Sequence, residues 1–387
     1  MSGLRRSSSS AATAVASMKK WFPTTSSPLI VSAPMAFVTN VQLATEVTKA
    51  GGLGFITGGR DFSPESPALK KLDEDLTTAR QSLSLQAKSI LHHQEAGAAA
   101  GSAGEKDDGV LPIGVGFVTY DASLGAFAQT TTPILRTHRP AAVWLFAPSP
   151  RAATTTAEVI ASLAAAGREW GLKIVVQVGT VAAAREAARD GAHVIVAQGV
   201  DAGGHQWASG AGVISLVPEV VDMLRSEFPD REIAVWAAGG IADGRGVVAS
   251  LALGAEAAVV GTRFMVAHES SAQDYKRKAI LSTSDGGTNT VKSQIHDHVQ
   301  GNKEWPDLYD GRAIVHHSYH DHQAGVTLEE NERRYQAAKE SGDHARLVTW
   351  SGTGVGLVKQ ALPAGEMVRT LRNEASQVLQ HLKGLTA

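Results

Sequence analysis

The chain contains no cysteine and no long run of apolar residues. Without thiols it can form no disulfide scaffold, no cysteine-ligated zinc or iron–sulfur centre and no thiolate nucleophile. No apolar run approaches the roughly 20 residues that cross a bilayer. With 36 Lys and Arg against 38 Asp and Glu, the formal charge is −2, which creates no field to gather nucleic acid or anionic lipid. We therefore expect a soluble protein without a nucleic-acid or membrane partner.

Apolar sequence is plentiful: 43% of the 387 residues are hydrophobic, enough for a large globular core. Residues 1–20 differ, because they are rich in Ser and Ala and carry four basic and no acidic side chains. Disordered tails and organelle transit segments share this composition. We predict a disordered tail over residues 1–22 and a cytoplasmic location, whereas a transit segment would indicate mitochondria.

From Pro28 onward, short β-branched runs alternate with Ala-rich stretches that can form amphipathic helices. The runs are continuously apolar, which is typical of parallel strands buried on both faces. Eight strands are predicted, at Leu29–Ala33, Leu53–Ile56, Ile113–Val118, Ala142–Phe146, Ile174–Val178, Val194–Ala197, Ile233–Ala237 and Ala257–Val260. Eight strands linked by helices in about 250 residues predict an α/β fold, the (β/α)8 or TIM barrel.

The alternation of strands and helices stops after Ala267, and a polar stretch rich in His, Asp and Gly follows. We predict a barrel over residues 23–270, a smaller cap domain over 271–345 and a C-terminal segment over 346–387. That last segment is expected to return to the barrel with a helix near Glu366–Leu382, because the eighth strand needs a covering helix. The small, charged segment Gly97–Gly109 is predicted to be a surface insertion.

Glycine turns follow the last two predicted strands, Gly239-Gly240 after the seventh and Gly261 after the eighth. Both belong to the C-terminal rim, where the βα loops of a barrel build active sites. Gly240 and Gly261 are 21 residues apart, about one helix and one strand, so both turns can contact one ligand. Glycine lets main-chain N–H groups approach an anion. Either glycine alone is explained by turn geometry, but the pair predicts a bound phosphate.

The turn after the sixth strand places Gln198, Asp201 and His205 beside Gly203 and Gly204. An imidazole with a pKa of about 6.5 can accept a proton at neutral pH. Most of the 14 histidines need no catalytic explanation, but the rim position makes His205 the candidate catalytic base. Asp201 either orients His205 or caps the turn, and the sequence leaves both alternatives open.

Three other features of the sequence give weaker indications of a binding or metal site. Met35, just after the first strand, would bring a polarisable side chain to the rim, where flat apolar rings pack well. The glycines of Gly51–Gly59 bracket a strand and do not lead into a helix, so they do not match the dinucleotide-binding pattern. The histidines of His296–His298 and His316–His322 lack the spacing of a metal site. We interpret them as polar loops or an interface.

Several motifs together resemble one family, the nitronate monooxygenases, formerly called 2-nitropropane dioxygenases. They are APM (Ala33–Met35), KAGGLGFITGG (Lys49–Gly59), VIVAQGVDAGGH (Val194–His205), AAGGIADGRGV (Ala237–Val247) and VVGTRF (Val259–Phe264). Further segments are similar to its fungal branch: FPTT (Phe22–Thr25), DGGTNTVKS (Asp285–Ser293), YDGRA (Tyr309–Ala313) and TWSGTGVGL (Thr349–Leu357). The resemblance covers nearly all of the chain after residue 20.

The resemblance implies an FMN-dependent, metal-free enzyme that oxidises alkyl nitronates, and in this branch also neutral nitroalkanes, with O2 to a carbonyl compound and nitrite. It implies His205 as the catalytic base. The cofactor-binding positions that match are Ala33, Met35, Gln198 and Gly203 on the flavin-ring side, and Gly240, Val259, Val260, Gly261 and Thr262 at the phosphate end. Gly116 stands where relatives often carry Asn, so we expect a main-chain group to replace that contact. A homodimer is one oligomeric state that we leave open.

Two alternative functions are compatible with the sequence. A flavin-dependent enoyl reductase of fatty-acid synthesis shares the AGGH-type loop but needs NAD(P)H. A non-catalytic barrel that binds a flavin or another phosphorylated ligand would use the same glycine turns. A dehydrogenase of the inosinate type is excluded, because its thiol nucleophile cannot exist in this chain.

Overall fold

Eight parallel strands close into a barrel. The computed structural model describes residues 18–94, 109–149 and 154–385, and their side chains except those of residues 85–94. The strands are β1 (Leu29–Ser32), β2 (Phe55–Gly59), β3 (Leu111–Val118), β4 (Pro140–Phe146), β5 (Lys173–Val178), β6 (Val194–Gln198), β7 (Gly204–Trp207), β8 (Ala234–Ala238), β9 (Ala257–Val260), β10 (Thr290–Ser293) and β11 (Tyr309–Ile314). One parallel sheet has the spatial order β1-β9-β8-β6-β5-β4-β3-β2. A parallel bridge between Val31 and Leu53 joins its two edges and confirms the predicted TIM barrel.

Strand β2 begins later than the predicted Leu53, because Leu53 itself closes the barrel. Its N–H donates to the Ile30 carbonyl at 2.9 Å, and its carbonyl accepts from the Ser32 N–H at 3.1 Å. The ladder with β3 starts only at Phe55, which pairs with Gly114. The prediction at Leu53–Ile56 therefore merged the closing bridge with the first residues of the strand.

Aromatic side chains fill the barrel interior. The ring centroid of Trp236 lies 6.4 Å from that of Trp144 and 5.9 Å from that of Phe22. Phe22 follows a helical turn at residues 18–21, and both Met18 and Phe22 are buried. The prediction of a disordered tail over residues 1–22 is therefore wrong for residues 18–22, since two apolar side chains four residues apart pack into the core. Residues 1–17 lie outside the described part of the chain.

Helices surround the barrel and build part of the cap. They are α1 (Val41–Lys49), α2 (Pro67–Gln94), α3 (Phe127–His138), α4 (Thr156–Gly167), α5 (Val181–Asp190), α6 (Val213–Glu227), α7 (Gly244–Ala252), α8 (Thr262–Met265), α9 (Asp274–Ser282), α10 (Gly286–Asn289), α11 (Ile295–His298), α12 (His317–Gln323), α13 (Leu328–Ser341) and α14 (Ala364–Leu385). Within the described ranges, none of them is both long enough and apolar enough to span a bilayer. The predicted insertion Gly97–Gly109 lies outside the described residues, apart from Gly109.

A second, smaller core lies beyond the barrel. Strands β10, β11 and β7 form an antiparallel sheet, and β7 belongs to the connection between β6 and α6. The buried apolar side chains of this core are Ile295, Val299, Ala313, Tyr335, Ala338, Leu347 and Val348. The segment that we expected to be a plain rim turn therefore contains a strand, because β11 offers it a ladder partner. We call the β10–β11 pair with α11, α12 and α13 the cap. The bounds predicted for the cap domain, residues 271–345, stay a prediction.

The C-terminal helix α14 lies against the outside of the barrel. Its Arg372 guanidinium donates to the carbonyls of Ala50 and Gly51, both at 3.1 Å. The Glu374 carboxylate accepts from the N–H of Gly244, the first residue of α7, at 2.8 Å. The helix is therefore held against the end of α1 and the start of α7.

Candidate active site

The ends of β1 and β9 bring four of the predicted site residues together, because the two strands are neighbours in the barrel. Gly261 follows β9, and a Cβ placed on it would lie 3.7 Å from the Met35 sulfur and 3.8 Å from the Ala33 Cβ. Thr262 starts the short helix α8 directly after this glycine. Val259 and Val260 differ, since their side chains are buried in the barrel core. Their main chain pairs with the neighbouring strands, and the Val260 carbonyl accepts from the Ala33 N–H.

Gly240 lies on the neighbouring rim loop, after β8. Its φ of 73° is in the left-handed region that favours glycine. A cavity of about 540 Å³ opens beside it, lined also by Asp201, Ile241 and Thr353. None of the other predicted site residues lines this cavity. Gly240 thus lies on the same rim as Gly261 and also borders this cavity.

A chain of side-chain amides fixes Gln198. The Trp144 indole N–H donates to the Gln177 Oε1 at 3.0 Å, and the Gln177 Nε2 donates to the Gln198 Oε1 at 2.8 Å. The Gln198 Nε2 donates in turn to the His205 carbonyl at 3.2 Å. The barrel interior is therefore linked to the backbone of the candidate base, and Gln198 retains one N–H for a ligand.

Gly203 permits a close approach of two backbones. A Cβ on Gly203 would lie 2.4 Å from both the Gly352 nitrogen and the Ser351 carbonyl carbon. The Gly352 N–H donates to the Thr262 hydroxyl at 3.0 Å. The segment after Trp350 therefore crosses the rim from the loop after β6 to the start of α8, and the lack of a side chain on Gly203 allows it.

Asp201 does not hydrogen-bond to His205. The Thr353 hydroxyl donates to the Asp201 carboxylate at 3.1 Å, and the Thr353 N–H donates to the Asp201 carbonyl at 3.0 Å. Of the two alternatives that the sequence left open, the structure thus favours an Asp201 that secures the loop. This carboxylate helps to hold the crossing segment after Trp350.

The side chain of His205 lies on β7 between the barrel and the cap. Its Nε2 is 2.9 Å from both carboxylate oxygens of Asp297, on α11. The His205 side chain is 19% exposed and that of Asp297 only 6%, so the pair is largely shielded from water. The orienting carboxylate is therefore 92 residues away in sequence.

Two tryptophans cover the imidazole. The Trp305 ring stacks on His205 with a centroid separation of 3.8 Å and an interplanar angle of 11°. The Trp350 ring is 4.8 Å away at 50°. Trp350 fits there because Gly311, the ladder partner of His205, has no side chain: a Cβ would lie 2.3 Å from the Trp350 ring. Both aromatic rings lie outside the barrel strands.

A buried histidine pair supports α11. The His296 Nε2 lies 3.0 Å from the Val291 carbonyl, and its Nδ1 lies 2.9 Å from the His316 Nε2. Burial lowers the pKa of His296 to about 4 and that of His316 to about 3. In the described ranges, no three or more His, Asp or Glu side chains are grouped to hold a metal ion.

Sequence reasoning missed Asp297, Trp305 and Trp350. The sequence of His296–His298 stands out only for its histidines, which indicate a polar loop or an interface, whereas the structure forms helix α11 there with His296 and Asp297 buried. Gly116 has a packing explanation: a Cβ there would lie 2.5 Å from the Pro34 Cβ, so Asn would collide with the segment after β1.

Comparison with known proteins places the chain in a family. The family model described as nitronate monooxygenase matches residues 142–374. A curated nitronate monooxygenase of Neurospora crassa is 48% identical over 388 residues, covering 98% of this chain and 97% of the relative. The chain belongs to the nitronate monooxygenase family. It is therefore an oxidoreductase that oxidises nitronates.

More distant nitronate monooxygenase relatives agree with this placement. One from Metarhizium robertsii is 36% identical and covers 94% of this chain and 95% of the relative. Among solved structures, a nitroalkane oxidase from Streptomyces ansochromogenes is 25% identical, with a TM-score of 0.68, covering 94% of this chain and 99% of the other. Similarity along nearly the whole chain includes the cap as well as the barrel.

Proposed function

We propose that the protein is an FMN-dependent nitronate monooxygenase that also accepts neutral nitroalkanes, using O2 to form a carbonyl compound and nitrite. His205 is the base that removes the α-proton of a neutral nitroalkane. The observation that carries this proposal is the imidazole at the barrel rim, bound through one nitrogen to a shielded carboxylate. Imidazole is the side chain most often used for general acid–base catalysis, and the carboxylate fixes its orientation here.

The rim residues fit a flavin mononucleotide. Gly240 has a backbone conformation that favours glycine, and no hydrogen bond within the described residues uses its N–H. Gly261 lies beside Ala33 and Met35 and has no side chain of its own to cover its main chain. Gly240, Gly261 and Thr262 would hold the phosphate through main-chain N–H groups. Met35 and Gln198 would contact the ring system. FMN would supply the redox chemistry.

The protein's own groups carry out the proton transfer. A nitroalkane has an acidic C–H bond next to the nitro group, and His205 takes this proton. The resulting imidazolium then stabilises the negative charge of the nitronate. Trp305 and Trp350 cover the imidazole and limit the access of water to the pair. A nitronate supplied as such needs no proton removal.

Absorbance spectroscopy of the purified holoprotein tests the proposal. We expect bound flavin, bleached under anaerobic conditions by nitroethane and by ethyl nitronate. Bleaching by NADH and not by either nitro compound would instead identify an enoyl reductase. Bound flavin that responds to none of the three would indicate a non-catalytic barrel, and a protein that binds no FMN would contradict the proposal.

A further inference from the structure

We propose that Asp297 is a positioning residue that holds His205 in the tautomer protonated at Nε2, so that Nδ1 is the atom that accepts the substrate proton. The inference rests on the proposed function and assigns the base to one atom. It also assigns part of the catalytic geometry to the cap, because Asp297 lies on α11.

The tautomer follows from the donors and acceptors in the pair. Both Asp297 oxygens lie 2.9 Å from the His205 Nε2. An ionised carboxylate can only accept hydrogen bonds, so Nε2 carries the hydrogen. A neutral imidazole has one N–H, which leaves a lone pair on Nδ1. No hydrogen bond between described residues engages that atom.

Two groups that contact the imidazole can interact favourably with a positive charge on the ring. Asp297 is 6% exposed and its carboxylate lies 2.9 Å from the His205 Nε2, so few water molecules can separate the two groups. Trp305 stacks on one face at a centroid distance of 3.8 Å, a geometry in which an aromatic ring stabilises a cation. When Nδ1 gains a proton, both groups stabilise the new positive charge.

Asp297 is held in place by hydrogen bonds of α11. Because the Val291 carbonyl can only accept, the His296 Nε2 must donate to it, and the neutral His296 Nδ1 then accepts from the His316 Nε2. The His316 Nδ1 accepts in turn from the Tyr319 N–H at 3.3 Å. This arrangement needs both histidines neutral, as their lowered pKa values of about 4 and about 3 provide.

Other titratable groups near His205 lie in the cap. Asp310 on β11 and His296 on α11 both interact electrostatically with the imidazole. Asp310 lies 3.3 Å from the Lys292 ammonium on β10, and the Arg312 guanidinium donates to the Val200 carbonyl. Asp310 thus has a cation of its own, whereas Asp297 has His205. Asp297 is therefore the carboxylate that contacts the imidazole directly.

The step is a simple proton transfer. The C–H bond next to the nitro group breaks, and its electron pair remains on the substrate as the nitronate. The proton forms an N–H bond at Nδ1, while the Nε2–H bond to Asp297 stays intact. An Asn at position 297 keeps the size of the side chain, but its amide can donate to Nε2 and thereby place the imidazole proton on Nδ1.

The test compares Asp297→Asn with wild type, His205→Asn and Asp321→Asn, using nitroethane and ethyl nitronate as separate substrates. Asp321 is a matched control, since it is a cap carboxylate paired with Arg346 at 2.7 Å and Arg334 at 3.0 Å. We expect Asp297→Asn to lower kcat/KM for nitroethane about 100-fold. The loss in kcat/KM with ethyl nitronate should be at least tenfold smaller, and the flavin content of Asp297→Asn should equal that of wild type. The Asp321→Asn variant should have the same kcat/KM as wild type with both substrates.

Two further readouts separate positioning from support of the fold. Nitrogen-15 NMR of the His205 ring should report a proton on Nε2 in wild type and on Nδ1 in Asp297→Asn, and Asp297→Glu should restore part of the nitroethane activity. Near wild-type nitroethane turnover in Asp297→Asn, or equal losses on both substrates, would overturn the positioning role alone. Near wild-type nitroethane turnover in His205→Asn would overturn the proposed base itself.

Discussion

The barrel rim and the cap contribute different kinds of groups to the candidate site. At the rim, Gly240 and Gly261 offer main chain without side chains. From the cap comes the charged side chain of Asp297, while Trp305 and Trp350 cover the imidazole from outside the barrel strands. Strand β7 joins the two regions, since it leaves the barrel after β6 and pairs with β11.

This division separates cofactor binding from proton transfer. Glycine turns at the rim can hold a phosphorylated ligand whatever covers them, whereas the cap determines which charges and rings surround His205. A change in the cap should therefore alter the proton-transfer step more than cofactor affinity. Changes in the barrel should alter stability or cofactor retention first.

The largest expected effect comes from the residue at the junction. His205→Asn should lower kcat/KM for nitroethane by about 10² to 10⁴, the usual contribution of a general base. The loss with ethyl nitronate should be much smaller, because that substrate has already lost its proton. Steady-state kinetics with both substrates checks this, and equal losses on both would show that His205 supports binding and not deprotonation.

Gly203→Ala tests the contact between the rim and the crossing segment. Its Cβ would lie 2.4 Å from main-chain atoms of Ser351 and Gly352, which cannot move without displacing the segment. We expect a loss of about 3 kcal/mol in the free energy of unfolding, together with weaker flavin retention. Urea unfolding and flavin absorbance measure the two effects. Gly287→Ala is the control, since its Cβ would make only an ordinary 3.7 Å contact. Equal losses of stability and of flavin in the two variants would contradict the packing role of Gly203.

Glu256→Gln tests the barrel far from the rim. Burial raises the Glu256 pKa from 4.5 to about 7, and its carboxylate accepts from the Val235 N–H at 2.6 Å. A raised carboxyl pKa means that the folded state binds the proton more tightly, so wild-type stability falls as the pH rises from 4.5 to about 7.

Gln keeps an acceptor and removes the charge. Between pH 4 and pH 8, the free energy of unfolding of the variant should therefore rise by about 3 kcal/mol relative to that of wild type. Its kcat should be unchanged, because Glu256 directly precedes β9 at the end opposite the rim. Urea unfolding at the two pH values measures the difference, and a difference that does not depend on pH would contradict the raised pKa.

The smallest effect concerns the stacked ring. Trp305→Leu removes the aromatic face on His205 and should cost about 1 kcal/mol of imidazolium stabilisation, roughly a fivefold loss with nitroethane. Trp305→Phe keeps an aromatic face and should lose less. Steady-state measurement of kcat/KM for nitroethane compares the two variants. Identical losses would show that Trp305 acts only by filling space.

The barrel was predictable because its signal is local and repeated. Apolar runs separated by helical stretches gave the strand number and order, and β9 lies at the predicted Ala257–Val260. The adjacency of Met35 and Gly261 follows from barrel closure, which places the first and last strands side by side. Strand β7 was missed because its partner β11 lies about 100 residues later, beyond the reach of local periodicity.

The cap contacts could not be predicted for the same reason. Asp201 stands four residues from His205 and invited an orienting role, yet the carboxylate that binds the imidazole is Asp297. Proximity in sequence was misleading, because His205 is on a strand whose neighbours come from the cap. The close packing at Gly203 and Gly116 also depends on residues distant in sequence, Ser351 and Pro34.

The most direct test of the central claim is a deuterium isotope effect on anaerobic flavin reduction. His205 is proposed to break the C–H bond next to the nitro group, so nitroethane deuterated at that carbon should bleach the flavin more slowly than ordinary nitroethane. Ethyl nitronate deuterated at the same carbon should show no comparable slowing. Two results together would contradict the role of His205 as the base: equal bleaching rates with deuterated and ordinary nitroethane, and the same bleaching rate in His205→Asn as in wild type.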